Sequence, residues 1–392
     1  MTESELINLP FIGLLPLMRL AYSGVELAPL GQKLIEKIEQ NPNDANALMD
    51  LSMILQLRGN KELALQFQQD AINLQPLYFP PLTTKTPTIR VLALMSVGDL
   101  MANSPIEFLL ENSDVELIQF YITEPEHLDE LLPEHDLLFV AIAESEQNLP
   151  LLNQIAPILK SWHCPVLNKP EYITKMSRDA ACKLLENVEN IVMPTTQRLT
   201  AAEIKKTTFS FPMIIRPVDS HAGHDLEKIE TQQALENYLN EQNHAEFYIA
   251  RFVDYRNSDG FFRKYRVMLV EGKPFLAHLA ISENWMIHYL NAGMLESAEK
   301  RAEEARAMAN FSDTFAKKHA AAFQEIYKKS KLDYMGIDCS ETPEGDLLIF
   351  EIDSCMIVHA LDSLELFPYK QTPMHELFTA FQQLLKKTAA HC

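Results

Sequence analysis

The first part of the chain carries apolar residues at helical spacing. Between residues 45 and 76 this spacing forms two runs, which are separated at Gly59 and Asn60, a pair typical of the end of a helix. We therefore predict a helical hairpin within an all-α segment that spans residues 1–80. One such hairpin cannot bury both of its faces, so the segment is expected to pack on the neighbouring domain or on a partner subunit.

Residues 88–195 show a different pattern, in which short apolar runs alternate with helical runs. IEFLLEN and NLPLLNQIAPILKSW are predicted helices. The predicted strands are IRVLALM, VELIQFYI and HDLLFVAI. Such alternation is typical of a parallel sheet with crossover helices. The loop SVGDLMANSP after the first strand either lines a substrate pocket or is a simple connection.

Residues 196–392 carry further alternating runs, and we predict a second sheet there. FRKYRVMLV and PFLAHLAIS are expected to pair across the turn EGKP, whose residues favour a hairpin. A long stretch between residues 296 and 330 is rich in alanine and in charge pairs four residues apart, which favours helix. This helical stretch is expected to cover one face of the sheet.

Three carboxylates are brought together by a hairpin predicted over residues 333–353. Glu351 and Asp353 are two apart on the second strand, so they point to one face, and pairing of the strands brings Asp338 near them. Clustered acids suit a hard cation with oxygen ligands, and Mg²⁺ carrying nucleotide phosphates fits that description. The alternative is a solvated hairpin with acids on its outer face.

Basic residues with strand spacing accompany these acids. Lys264 and Arg266 share one face of their strand and Arg263 takes the other, so two cations can reach the same cleft as the carboxylates. Cations beside metal-bound acids are expected where phosphate is transferred. The alternative is that they only form salt bridges with those acids.

A loop of small residues follows the strand that ends at Arg216, and it is predicted to bind phosphate through its backbone N–H groups. His221 and His224 lie three apart there, but no other residue nearby has ligand spacing, so hydrogen bonds to phosphate or to loop carbonyls are favoured over a metal. The strand FYIARFVDY is either an adenine-binding edge or an ordinary core strand.

The order of these pieces resembles the ATP-grasp superfamily over residues 88 to about 385, with glutathione synthetase and the ribosomal-protein glutamate ligase as the nearest likenesses. The EID triplet at residues 351–353 is the most specific part. The resemblance implies an α/β (α+β) ATP-grasp fold, with a Rossmann-like domain over 88–195 and an ATP-grasp domain over 196–392. The first segment resembles one tetratricopeptide repeat.

The resemblance also implies roles for individual residues. Arg266, beside Lys264, corresponds to the group that holds an acyl phosphate, and the implied Mg²⁺ ligands are Asp338, Glu351 and Asp353. The implied ATP contacts are Arg178, Arg216, Ser220, His221, Gly223, Ala250, Arg251, Phe252 and Asn291.

Composition narrows the classes of function. A formal net charge of −20 and a pI near 5.0 argue against nucleic-acid binding and against binding to anionic membranes. The 5 cysteines include no CxxC pair, which favours a reducing compartment over a disulfide framework or a zinc ribbon. The acidic start MTESELINLP lacks the pattern of a signal peptide, so a cytoplasmic location is expected.

Together these observations predict an ATP- and Mg²⁺-dependent carboxylate–amine ligase that forms an amide through an acyl phosphate. Its substrates are expected to be small-molecule or peptide carboxylates and amines. Two alternatives stay open: a small-molecule kinase on the same fold, and a non-catalytic nucleotide-binding protein whose helical segment recruits a protein partner. The sequence is compatible with a homo-oligomer.

Overall fold

The computed structural model describes residues 3–82, 86–128, 132–220 and 223–390. The helices in these residues are α1 (Glu3–Leu6), α2 (Leu14–Tyr22), α3 (Ala28–Gln40), α4 (Ala45–Leu57), α5 (Lys61–Leu74), α6 (Leu149–Leu159), α7 (Pro170–Ile173), α8 (Arg178–Leu184), α9 (Ala201–Ile204), α10 (Gln232–Glu241), α11 (Ala298–Asn310), α12 (Phe315–Lys318), α13 (Ala320–Ser330) and α14 (Gln371–Ala389). The strands are β1 (Leu77–Tyr78), β2 (Ile89–Met95), β3 (Val115–Tyr121), β4 (Leu137–Val140), β5 (Val166–Leu167), β6 (Ile191–Val192), β7 (Gln197–Thr200), β8 (Met213–Pro217), β9 (Glu227–Ile229), β10 (Glu246–Arg251), β11 (Phe262–Val270), β12 (Lys273–Ser282), β13 (Tyr334–Glu341) and β14 (Leu347–Asp353).

The chain divides into two compact units. Unit 1 contains residues 1–174 together with 332–334 and 354–392, and unit 2 contains residues 175–331 and 335–353. The functional division into a helical segment, a Rossmann-like domain and an ATP-grasp domain stays a prediction. In the part of the chain that the structure describes, no helix is both long enough and apolar enough to cross a membrane.

Unit 1 holds a sheet with the strand order β1-β3-β2-β4-β5. Strands β2 to β5 pair in parallel and β1 joins the edge in the antiparallel sense. All four residues of β4 are buried, as expected for a parallel sheet covered on both faces. Phe381 of α14 contacts Phe139 of β4, with ring centroids 5.8 Å apart. The predicted strands at β2, β3 and β4 and the predicted helix at α6 are therefore confirmed.

The stretch IEFLLEN at residues 106–112 is not the predicted helix. It forms successive turns, in which Leu109 N–H donates to the carbonyl of Ile106 at 3.0 Å. Glu107 points into the protein, where its carboxylate accepts from Gln119 Nε2 at 2.9 Å and from Leu15 N–H at 3.1 Å. These tertiary hydrogen bonds outweigh the helix propensity of the stretch.

The helical segment of unit 1 contains the predicted hairpin, with α4 and α5 on either side of Gly59. That glycine adopts φ +80°, which a residue with a Cβ rarely tolerates. The segment packs on the sheet part of the same unit. Gln68 of α5 donates to the carbonyl of Gly98 at 2.8 Å and accepts from the Gly98 N–H at 2.9 Å, so it pairs with the loop after β2.

Unit 2 contains two sheets. The smaller one has the antiparallel order β7-β10-β8-β9. One of its faces forms an apolar core with α10, in which Ile215, Phe247 and Ile249 pack with Leu235 and Leu239. Because successive residues of a strand point to opposite faces, the residues between these apolar ones lie on the other face.

The larger sheet of unit 2 has the order β12-β11-β13-β14-β6. The helices α11, α12 and α13 cover one face of it, as predicted, and Tyr265 of β11 stacks on Phe315 of α12 with centroids 4.1 Å apart. The helical stretch is not continuous, because a 3₁₀ turn at Phe311–Asp313 separates α11 from α12. Glu304 of α11 is fully buried and accepts from Leu279 N–H at 3.0 Å.

Candidate functional site

The hairpin of β13 and β14 puts the three predicted carboxylates on the face of the larger sheet opposite to α11 and α12. Asp338 lies directly opposite Glu351, and Gly336 lies opposite Asp353. A register shift between Asp338 and Cys339 sets this pairing. The sequence predicts Asp338 at the end of its strand. In the structure it lies in the middle, because β13 continues to Glu341. The predicted convergence of the acids therefore has a direct basis in strand register.

Asp338 is held by the two predicted strand cations. Arg266 donates from Nε to Oδ1 at 2.8 Å and from Nη2 to Oδ2 at 3.0 Å, and Lys264 Nζ donates to Oδ2 at 2.9 Å. The Asp338 side chain is only 5% exposed. Burial opposes its ionisation, but the charges of Arg266 and Lys264 outweigh burial and hold the pKa of Asp338 well below its usual range.

The other predicted cation of β11, Arg263, points to the helix-covered face. It forms ion pairs with Asp259 and with Glu303 of α11. Lys264 and Arg266 thus share a face that Arg263 does not, as the strand period predicts.

Glu351 is paired with Arg178, a residue 173 positions earlier in the chain. Arg178 begins α8 and donates to the Glu351 carboxylate, and it also donates to the carbonyl of Phe350 at 3.3 Å. Burial raises the pKa of Glu351, but the charges of Arg178 and Arg216 outweigh it, so that the pKa lies below its usual value. Arg266 also interacts electrostatically with Glu351 and Asp353.

Arg216 of β8 lies on the face of the smaller sheet that does not contact α10. Its partner across the ladder is Tyr248, and the residue is 9% exposed. The guanidinium donates from Nε to Ser220 Oγ at 2.9 Å and from Nη2 to the Ser220 carbonyl. In residues 3–82, 86–128, 132–220 and 223–390, no carboxylate forms an ion pair with it. Burial, with the nearby charge of Arg178, lowers the pKa of Arg216 to about 10.

The predicted phosphate loop follows Arg216. His221 lies outside the described residues. Gly223 adopts φ +78°, and a Cβ added there would lie 3.0 Å from Met286 Sδ. Glycine is therefore the residue that fits this position without displacing a neighbour.

The predicted adenine edge lies at the end of β10. Ala250 is buried in the ladder with β8, and Arg251 is exposed. Phe252 N–H donates to the carbonyl of Pro212 at 3.1 Å, so this amide is already committed within the protein. The Phe252 ring contacts Trp285, with centroids 5.6 Å apart. The roles of Ala250, Arg251 and Phe252 in nucleotide binding stay predictions.

Asn291 is used locally. Its Oδ1 accepts from His288 N–H at 2.9 Å and its own N–H donates to the His288 carbonyl at 3.0 Å, which caps the 3₁₀ turn Tyr289–Asn291. No contact in the described part of the chain joins Asn291 to the carboxylates, so its predicted ligand contact stays a prediction.

Sequence reasoning missed Lys228 and His278. Lys228 lies opposite Ile214, which puts it on the Arg216 face of the smaller sheet, and its Nζ is 4.4 Å from the centroid of the Phe252 ring. The alternation of Glu227–Ile229 could have indicated this placement. His278 lies opposite Arg266 only because the ladder shifts between Arg266 and Val267, and that shift has no signal in the sequence.

The charges of this site leave an excess of positive charge. Four cations interact with three carboxylates here, so the formal charges sum to one positive charge. The cations are Arg178, Arg216, Lys264 and Arg266, and the acids are Asp338, Glu351 and Asp353. Buried charges that lack a partner are unfavourable, and an anionic ligand relieves the excess. The arrangement therefore suits an anion near Arg216 and a cation-binding carboxylate pair at Glu351 and Asp353.

Comparison with known proteins gives only a distant likeness. No family model matches the chain, and no curated protein matches it. Among solved structures, the RimK domain protein ATP-grasp from Sphaerobacter thermophilus is 14% identical, with a TM-score of 0.44 over 74% of this chain and 99% of that chain. D-alanine–D-alanine ligase from Bacillus anthracis complexed with ATP is 14% identical, with a TM-score of 0.46 over 78% of this chain and 98% of that one.

A third similar structure is the VanG D-Ala:D-Ser ligase from Enterococcus faecalis, which is 14% identical, with a TM-score of 0.47 over 76% of this chain and 99% of that one. At TM-scores below 0.5, these likenesses establish neither the family nor the activity of this chain.

Proposed function

We propose that the protein is an ATP-dependent carboxylate–amine ligase that forms an amide through an acyl phosphate. The observation that carries the proposal is the excess of positive charge at Arg178, Arg216, Lys264 and Arg266 beside three carboxylates on one sheet face. A triphosphate supplies the missing negative charge.

The carboxylates fit Mg²⁺ by the chemistry of their donor atoms, because Mg²⁺ prefers oxygen ligands and takes one or two carboxylates with substrate phosphates. Glu351 and Asp353 are the principal candidates. Both oxygens of Asp338 already accept hydrogen bonds from Arg266 and Lys264, so Asp338 serves mainly to hold these cations. Glu351 and Asp353 would hold the ion, which would supply positive charge to offset the negative charge of the phosphates.

The remaining chemistry rests on the side chains. An oxygen of the substrate carboxylate attacks the γ-phosphorus and ADP leaves, which gives the acyl phosphate. The amine nitrogen then attacks the carbonyl carbon, phosphate leaves with the C–O bonding pair, and the nitrogen loses a proton to solvent. Arg266, fixed by two hydrogen bonds to Asp338, is the group proposed to hold the negative oxygens that develop in both steps.

We propose that the substrates are small-molecule or peptide carboxylates and amines. The loop after β2 supports this, because open α/β sheets bind ligands at the carboxyl ends of their parallel strands. Gln68 of the helical segment holds that loop at Gly98. The same segment is the proposed site of any protein partner.

The proposal is tested by measuring ADP release against pooled carboxylates and amines, followed by the mass of any product. We expect amine-dependent ADP release and a product heavier than the acid by the amine less one water. Glu351→Gln should lower the rate by about 10²–10³, the loss typical when one transition-state charge contact is removed. Glu303→Gln is the matched control, because Glu303 pairs with Arg263 on the helix-covered face.

Two outcomes contradict the proposal. ADP release that is complete without any amine, with a phosphorylated acid as the final product, supports the kinase alternative. Equal rates of ADP release for Glu351→Gln and Glu303→Gln would show that the carboxylates on this sheet face do not take part in catalysis.

A further inference from the structure

A group of metal-ligating side chains belongs to unit 1, whereas the charged residues of the proposed ligase site belong to unit 2. His135 precedes β4, and His163 and Cys164 precede β5. Because β4 and β5 pair in parallel, with Leu138 opposite Val166, the residues that precede the two strands lie side by side at the N-terminal ends of the strands. One ligand atom from each of the three residues lies within 4.8 Å of the others.

The hydrogen bonds of His135 prepare one of its nitrogens for a ligand role. Nδ1 lies 2.8 Å from the carbonyl of Pro133 and therefore carries the proton, since a carbonyl only accepts. Nε2 then presents its lone pair, which accepts from Trp162 Nε1 at 3.1 Å. A histidine that donates from one nitrogen to a backbone carbonyl is the usual arrangement around a metal-bound imidazole.

The surroundings of the group favour metal over other uses. Cys164 is buried and His163 is exposed, so one ligand is anchored in the protein while another faces solvent. The rings of His135 and His163 lie 4.9 Å apart, and Trp162 lies 5.3 Å from His163.

We propose that His135, His163 and Cys164 form a binding site for Zn²⁺, in which Nε2 of His135, the imidazole of His163 and the thiolate of Cys164 are three ligands and a water is the fourth. Nitrogen and thiolate ligands select zinc over Mg²⁺ and Ca²⁺. A tetrahedral ion with bonds of about 2.0–2.3 Å draws such atoms closer together than 4.8 Å. When the ion binds, the thiol of Cys164 releases its proton to solvent. The Trp162 N–H then donates its hydrogen bond to water instead of to His135 Nε2.

Zinc binding is measured on the full chain with two background substitutions. Cys392→Ser is needed because His391 and Cys392 repeat the sequence of His163 and Cys164 at the end of the chain. Trp285→Phe leaves Trp162 as the remaining one of 2 tryptophans, so that indole emission reports the hydrogen bond to His135. The probe is Zn²⁺ alone, added after chelator treatment, with Co²⁺ as a spectroscopic substitute.

We expect one Zn²⁺ per chain by calorimetry, with a change in Trp162 emission that saturates at the same ratio. Co²⁺ should give a thiolate charge-transfer band. Cys164→Ser should abolish that band, and His163→Asn should weaken Zn²⁺ binding by at least the roughly 10–100-fold that follows the loss of even an outer contact of a metal site. The control Cys182→Ser, a buried thiol of unit 2, should leave affinity and band unchanged.

Because His163 is exposed, His163→Asn is expected to fold even if Cys164→Ser does not. Absence of saturable Zn²⁺ binding in the background chain overturns the proposal. So does unchanged affinity in His163→Asn, or an equal loss in Cys182→Ser. None of these measurements depends on ligase activity, so the two proposals stand or fall separately.

Discussion

Two arginines of unit 2, the buried Arg216 and the half-buried Arg266, illustrate opposite ways of accommodating a charge. Arg266 on the larger sheet donates two hydrogen bonds to Asp338, and although burial disfavours its charged form, the carboxylate raises its pKa above its usual value. Arg216 on the smaller sheet donates hydrogen bonds only to Ser220 among the described residues, and burial lowers its pKa to about 10. A carboxylate thus offsets the charge of Arg266 at hydrogen-bond distance, whereas Arg216 has the hydroxyl and carbonyl of Ser220 within that distance.

The pairing of Arg266 makes it structural as well as functional. Removing one partner of a buried ion pair leaves an uncompensated charge in a poorly solvated place, whereas removing an unpaired buried charge does not. The two arginines are therefore expected to respond to substitution in opposite directions.

The largest expected effect is on folding. Arg266→Ala should lower the free energy of unfolding by about 3–5 kcal/mol, because Asp338, which is 5% exposed, loses its bidentate partner and keeps only the single hydrogen bond from Lys264. Urea unfolding followed by circular dichroism measures this change. Arg263→Ala is the control, and it should cost at most about 1 kcal/mol because its partners Asp259 and Glu303 are 47% and 32% exposed.

A double variant sharpens the same prediction. Combining Arg266→Ala with Asp338→Ala should recover part of the loss, since the buried carboxylate is then removed together with its bidentate partner. Equal losses for Arg263→Ala and Arg266→Ala would show that burial does not distinguish the two pairs.

The next effect is on nucleotide affinity. Arg216→Met should weaken binding of a non-hydrolysable ATP analogue by about 10–100-fold, because hydrogen bonds to charged groups contribute about 1.5–3 kcal/mol. Calorimetry with Mg²⁺ present gives the affinity. Without nucleotide, the variant should be at least as stable as the parent.

Arg198→Met is the matched control for Arg216→Met. Arg198 lies across Tyr248 from Arg216 on the same sheet face, but it is paired with Glu246. Its replacement should leave nucleotide affinity unchanged. A loss of affinity as large as that of Arg216→Met would mean that removing any positive charge from this face of the smaller sheet weakens nucleotide binding.

The smallest effect concerns Asp50 of unit 1, an acid that is buried without an ion pair in the described residues. Its carboxylate accepts from Ile12 N–H at 2.9 Å and Gly13 N–H at 3.0 Å, yet burial raises its pKa to about 7. Between the pKa of Asp50 in the unfolded chain and about pH 7, the Asp50 side chain is protonated in the native state and ionised in the unfolded state. The contribution of Asp50 to stability is therefore complete below the unfolded pKa and falls as pH rises toward 7.

Comparing the parent with Asp50→Asn isolates this contribution. Between about pH 5 and pH 7, the unfolding free energy of the parent should fall by at most about 1.4 kcal/mol per pH unit relative to the variant. Parallel curves for the two proteins would show that Asp50 does not titrate in this range.

The site could be predicted where the period of a strand decides the outcome. Two-residue spacing placed Lys264 with Arg266 and Glu351 with Asp353, and their ion pairs and register agree with it. Spacing could not give the ladder shift after Arg266, which brings His278 rather than Ala277 opposite it. Such shifts depend on the packing of both strands.

Contacts between distant parts of the chain were also out of reach. Arg178 was recognisable as a cation near a helix end, but its partner Glu351 is set by the position of α8 beside β14. Nothing in the composition of residues 354–392 indicates that they return to unit 1. The turns at 106–112 replace a helix for a similar reason, since the partners of Glu107 come from two other segments.

The side-chain amide of Gln68 pairs with the peptide group of Gly98 in the way that the backbone of a neighbouring strand does. It donates one hydrogen bond to the Gly98 carbonyl and accepts one from the Gly98 N–H. Glutamate could only accept and leucine could do neither, so the side chain cannot be exchanged without stranding a main-chain group. A shortened protein that begins after residue 80 would therefore lack the brace for the loop behind β2, and its failure to turn over a substrate would say nothing about recruitment by the missing helices.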